Sequence, residues 1–214
     1  MTRFGFRSFA LLAGILSGAG AQAQDYQPGF RPEALKLPAG RPANEVLVLG
    51  SAHLSGLPES FDPAALAPLL DRLAAWKPTA IATEDLSGLQ CDAMRRYTVR
   101  YADTIESYCF DPAAATRATG LDVPAANAEA ERLLAAWPKA PSAAQRRRLT
   151  ALFLAAGERG SALVQWLRMP AAERRTGDGM NDELVAYMAT YQKRRNETSM
   201  IGSALAARLG LERL

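Results

Sequence analysis

The sequence predicts an α/β fold, with a parallel-containing sheet begun by a βαβ unit and followed by a large helical portion. Three observations predict it. Glu45-Val46-Leu47-Val48-Leu49 is a short apolar run of the kind that forms a buried strand. A series of leucines at helical spacing follows, and then a second short run with β-branched residues, Thr79-Ala80-Ile81-Ala82-Thr83. A helix crossing between two strands makes them parallel, so their carboxyl ends share one edge of the sheet.

The chain opens with Arg3 and Arg7 ahead of the apolar segment Phe9 to Leu16, and Ala21-Gln22-Ala23 supplies an A-x-A cleavage site. Residues 1–23 therefore read as a secretory signal peptide, with an uncleaved anchor as the alternative. The apolar core is shorter than the roughly 20 residues that span a bilayer, and no later run supplies that length. A periplasmic or secreted protein with no stable membrane span after cleavage is expected. Loss of Arg3 and Arg7 takes Lys+Arg from 25 to 23 against 22 Asp+Glu, and the formal charge from +3 to +1. That leaves no electrostatic case for nucleic acid, and Arg146-Arg147-Arg148 and Arg174-Arg175 read as solvated helix faces or ends.

Residues 24–44, rich in Pro and Gly, form an extended lead-in to a single α/β domain at 45–214. After the first strand and a loop through Pro58, Asp62 as N-cap and Pro63 start a helix. It carries Leu66, Leu69, Leu70 and Leu73 toward Trp76, and Lys77-Pro78 ends it. The second strand closes on Glu84-Asp85. Cys91 and Cys109 flank a polar, tyrosine-bearing stretch; in an oxidising compartment they can form a disulfide, and two buried free thiols are the alternative. Helices are expected over Ala126–Trp137, Ser142–Ala156 and Ser161–Met169, with Trp137 and Trp166 as core anchors. A longer one is expected from Asn181 or Asp182 to Leu209, stopped by Gly210. There is no internal repeat, low-complexity tract, Walker loop or G-x-S-x-G elbow.

The only histidine, His53, follows Gly50-Ser51-Ala52 at the end of the first strand. Imidazole exchanges protons and binds metals near neutral pH, so His53 is a candidate base or metal ligand; a local loop cap is the plain alternative. Parallel strands bring Glu84 to the same edge, where a carboxylate can orient the ring, act as general base or share a metal. Arg195, near the apolar stripe of the last helix, can hold an anionic group or lie on the surface.

Gly50-Ser51-Ala52-His53, Glu84 and Arg195-Asn196 together resemble the TraB/Tiki/erythromycin-esterase-like superfamily. The wording around them, VLVLGSAHLSG and then KPTAIATED, is most similar to a bacterial branch of it, the DUF5694-type proteins. The resemblance implies an α/β fold with a sheet-edge pocket. It also implies His53 as metal ligand or base, Glu84 as its acidic partner and Arg195 as a pocket residue, with a divalent metal as cofactor. The superfamily's second G-x-x-H motif is absent before Leu214. An incomplete version of that fold is thus expected: a fragment, a member using other groups, or a non-catalytic one. An uncovered sheet edge would favour self-association. The function expected is His/Glu-assisted hydrolysis of an ester, lactone or amide in an exported protein, acting on a small-molecule or peptide substrate. The alternative is a non-catalytic periplasmic protein that binds haem or a metal, or serves as a scaffold.

Overall fold

Helix caps written into the sequence set most of the architecture. In the computed structural model, which describes Gly40 and residues 44–214, Ser87 and Gln90 form a reciprocal capping box at the start of α1, Gly88–Arg95. Ser142 and Gln145 do the same for α5, Ala143–Ala155. Asp122 accepts the Ala125 N–H to open α4, Val123–Ala135, and Asn181 accepts the Leu184 N–H to open α7, Asp182–Tyr191. Between these lie α2 (Thr98–Tyr108), α3 (Ala113–Thr119) and α6 (Arg159–Leu167). A π-helical segment, Thr198–Ser203, runs directly into α8, Ala204–Leu209. Ahead of all of these, Asp62 caps a short 3-10 turn that leads into the helix Ala67–Trp76, here αN. The signal peptide at 1–23 and, but for Gly40 and Asn44, the lead-in at 24–44 lie outside the described residues.

This architecture corrects the α/β expectation and the sheet-edge pocket that came with it. The structure is 60% helix and 1% strand, with no sheet among the described residues. The reason is physical: a strand exists through the backbone hydrogen bonds of a partner, and neither apolar run has one among the described residues. Val46 and Val48 are 81% and 88% exposed on a stretch without regular structure, and the run from Thr79 to Thr83 is irregular. The one β-type pairing among the described residues is an isolated antiparallel bridge between Gly177 and Met180. The single long helix expected to reach Leu209 is also interrupted, because the chain turns after Tyr191 and Asn196 then caps the next segment through the Ser199 N–H, at 2.8 Å.

The chain divides into Met1–Val48 and Leu49–Leu214. Within the second unit, α5 is the central element. Leu149, Ala151, Leu152, Leu154 and Ala155 along it have no exposed surface, and it packs against α3, α4 and α6. Every residue from Leu149 to Ala155 is buried, as in a helix enclosed at the middle of a bundle. Arg146 and Arg147 are buried there too, rather than lying on a solvated face. Arg147 donates to Asp178 at 2.8 Å and to Glu173 at 2.7 Å. Arg146 donates to Gln165 at 2.7 Å and to Glu212 at 2.9 Å, which fastens the last residues to α5 and α6. A smaller cluster joins Leu54, Leu73, Ile201 and Leu205, so αN docks on α8.

Cys91 in α1 and Cys109, just after α2, are joined in a disulfide with Cα atoms 5.7 Å apart. No helix among the described residues is long and apolar enough to cross a membrane.

Candidate functional site

The segment after the Glu45–Leu49 run places His53 ahead of a 3-10 turn, Leu54–Gly56. Its carboxylate neighbour is Glu197: Nδ1 and Glu197 Oε1 are 3.5 Å apart, and that same oxygen accepts the Leu54 N–H at 2.8 Å. The imidazole side chain is 78% exposed. Arg195 lies in the turn between α7 and the π-helical segment, not on a helix, and donates to the Pro58 carbonyl at 2.7 Å. The 53–58 loop therefore meets the 195–197 turn, bringing His53 and Arg195 to one corner with Glu197. Glu84 is exposed and makes no hydrogen bond or ion pair among the described residues. No three His, Cys, Asp or Glu side chains among them gather into a set able to hold a metal.

A second constellation forms one residue further along, at Asp85. Its Oδ1 accepts from Arg159 at 3.2 Å and its Oδ2 from the Thr198 hydroxyl at 2.5 Å. Arg159 starts α6, and its guanidinium carbon sits 5.6 Å from the centre of the Tyr191 ring, within cation–π range. Tyr191 stacks on Tyr187 with centroids 5.6 Å apart, and Tyr187 meets Phe110 at 5.0 Å. Burial and the neighbouring Tyr191 push the Tyr187 phenol up to about 12. Burial likewise raises Tyr191, against the pull of Arg159. The hydroxyls of Tyr191 and Ser199 lie next to each other in buried surroundings, but not in hydrogen-bonding alignment.

Glu158 precedes Arg159 and accepts the Gly88 N–H at 2.8 Å. This bond depends on close backbone contact: a Cβ on Gly88 would collide with the Ala156 carbonyl oxygen, and one on Gly157 would fall 2.7 Å from the Gly88 Cα. Gly157 also holds φ at +81°, a conformation that favours glycine. Burial, opposed by the Gly88 bond but reinforced by the Asp85 charge, holds the Glu158 carboxyl above its ordinary value.

Asp85, Glu158 and Arg159 open into a cavity of about 200 Å³ whose walls include Tyr108, Phe110 and Ser161. The pocket therefore has fixed charges, hydroxyls and two aromatic rings. The sequence carried a signal for it that periodicity does not show: Glu158-Arg159 sits between Gly157 and Gly160 at the start of a helix whose following residues are buried.

No family model matches the chain, and no curated protein or solved structure was found to match it.

Proposed function

We propose that this chain is an exported protein that binds a small polar molecule in the cavity at the start of α6. The observation that carries this reading is the set of polar groups already held in place around about 200 Å³ of open volume. Each is fixed by a partner outside the cavity: Asp85 by Thr198, Glu158 by the Gly88 backbone, and Arg159 by the Tyr191 ring. Groups positioned before the ligand arrives lose little entropy on binding it. The volume is below the roughly 300–1,000 Å³ of drug-sized sites, so the ligand is correspondingly small. Export is supported by the A-x-A pattern ending at Ala23, and a disulfide suits an oxidising compartment. Ala82 is an exposed wall residue. Ala82→Trp is therefore expected to fill the cavity and abolish ligand binding by titration calorimetry while leaving the circular dichroism unchanged. Binding that survives this substitution lies elsewhere and sinks the reading.

Hydrolysis is the second reading, favoured by one contact: the His53 and Glu197 side chains at 3.5 Å, with Arg195 on the adjoining turn. A carboxylate-supported imidazole can take a proton from water, and an arginine can stabilise developing negative charge. This is where the chemistry implied by the TraB/Tiki resemblance would reside. His53→Ala is expected to remove turnover of a chromogenic acetate ester by the mature protein, on the order of 100-fold for loss of a general base. Equal turnover in the two proteins would end this reading.

A further inference from the structure

The charges around the cavity do not balance, and the excess has a definite sign. Asp85 is satisfied from within, with one oxygen on Arg159 and the other on Thr198. Arg159 is in turn committed to Asp85 and to the Tyr191 ring. Glu158 differs. One of its oxygens takes the Gly88 N–H, and it forms no ion pair among the described residues. Arg213, the cation whose charge reaches it, is bonded to Glu131. What remains is a half-buried carboxyl group with one unused oxygen, in a lining that also includes Tyr108 and Phe110.

We propose that the cavity takes a small organic cation, an alkylammonium group seated between Glu158 and the Tyr108 and Phe110 rings. This rests on the reading that the cavity binds a ligand. An anion would enter against two carboxylates, and a neutral ligand would leave the Glu158 charge unanswered on desolvation. A metal ion needs more oxygen or nitrogen ligands than Glu158 supplies, and no set of three is present among the described residues. Methyl groups on nitrogen match the aromatic and aliphatic walls, because ring faces attract diffuse cations.

The probes are choline and its neutral isostere 3,3-dimethyl-1-butanol, titrated into the mature, disulfide-bonded protein and followed by calorimetry and ligand-observed NMR. Choline is expected to bind and the isostere to bind at least about tenfold more weakly, as the loss of a bond to a charged group implies. Glu158→Gln keeps an acceptor for Gly88 and is expected to weaken choline by a similar factor while leaving the isostere unchanged. Tyr108 is exposed, so Tyr108→Leu should fold normally and weaken choline by about two- to fivefold, the scale of one cation–π contact. Isostere binding as tight as that of choline, blocked by Ala82→Trp, overturns the cation proposal while the cavity reading stands. Choline binding that Ala82→Trp leaves intact overturns both. If neither probe binds the wild-type protein, the cation proposal falls.

Discussion

The two apolar clusters of the Leu49–Leu214 unit differ in depth, and each carries one candidate site. Around α5, leucines and alanines are sealed from solvent, and α6 projects Glu158 and Arg159 from that sealed body. Between αN and α8, the best-buried residues, Leu54, Leu73, Ile201 and Leu205, keep 4–8% exposure, and most of their neighbours are only partly covered. His53 stands at the edge of this thinner cluster. The difference accounts for the two sites. Polar groups rooted on the deep core are held by short hydrogen bonds or a ring contact, whereas His53 has a carboxylate at 3.5 Å and a largely exposed side chain. Preorganisation follows burial of the supporting element, and this favours the α6 cavity.

Core truncation tests the comparison most strongly. Leu152→Ala is expected to destabilise by about 3–5 kcal/mol in urea unfolding, since a fully enclosed leucine leaves a cavity that its neighbours cannot close. Leu73→Ala, in the thinner cluster, should cost about 2–3 kcal/mol, because partly exposed surroundings relax. Equal costs would show that the two clusters are equally tight and would remove the basis for ranking the sites.

A smaller effect sharpens the contrast through pH. Glu212 lies where burial raises its carboxyl, but the bonds from Gln165 and Arg146 and the charge of Arg168 prevail and lower it below 4.5. A lowered folded value makes its contribution present above 4.5 and lost as pH falls through that value. Glu158 is raised, chiefly by burial, so its folded state holds the proton more tightly. Its contribution is complete below 4.5 and is lost as pH rises through the raised value. Relative to Glu212→Gln, the wild-type melting temperature should therefore fall on acidification below 4.5. Relative to Glu158→Gln, it should fall as pH rises above 4.5. Parallel pH profiles for wild type and Glu158→Gln would show that the fold does not raise this carboxyl.

Much of the helical architecture was legible because it rests on local chemistry. Ser142 with Gln145 marks the start of α5, and Asn181 that of α7, through bonds made within one turn. The leucine stripe of αN was legible for the same reason, although its partner proved to be α8. The two apolar runs misled because a strand is not a local object. Glu45–Leu49 has strand composition, but only a neighbouring chain segment could make it one. The helices between Gly88 and Thr119 have no clear apolar period because they bury so little: Gly88 and Cys91 in α1, no residue in α2 and Ala115 in α3. Of the candidate site residues, His53 and Arg195 were visible by type, but their companion Glu197 was not. It lies 143 positions beyond Leu54, whose N–H it accepts, and the loop-to-turn contact that delivers it has no periodic signature. Glu84 and Asp85 together end the second apolar run, but Asp85 forms the bonds, a one-residue difference set by which side chain faces Arg159 and Thr198.

The disulfide gives α2 a further meaning. Cys91 and Cys109 weld the two ends of a stretch whose helix contributes nothing to the core, and Asp85 and Phe110 stand just outside the weld on either side. The loop is thus a covalent detour that leaves the cavity and returns to it at a fixed point. A single cut within residues 96–107 would therefore leave Cys91 and Cys109, and with them the two flanking walls, covalently joined.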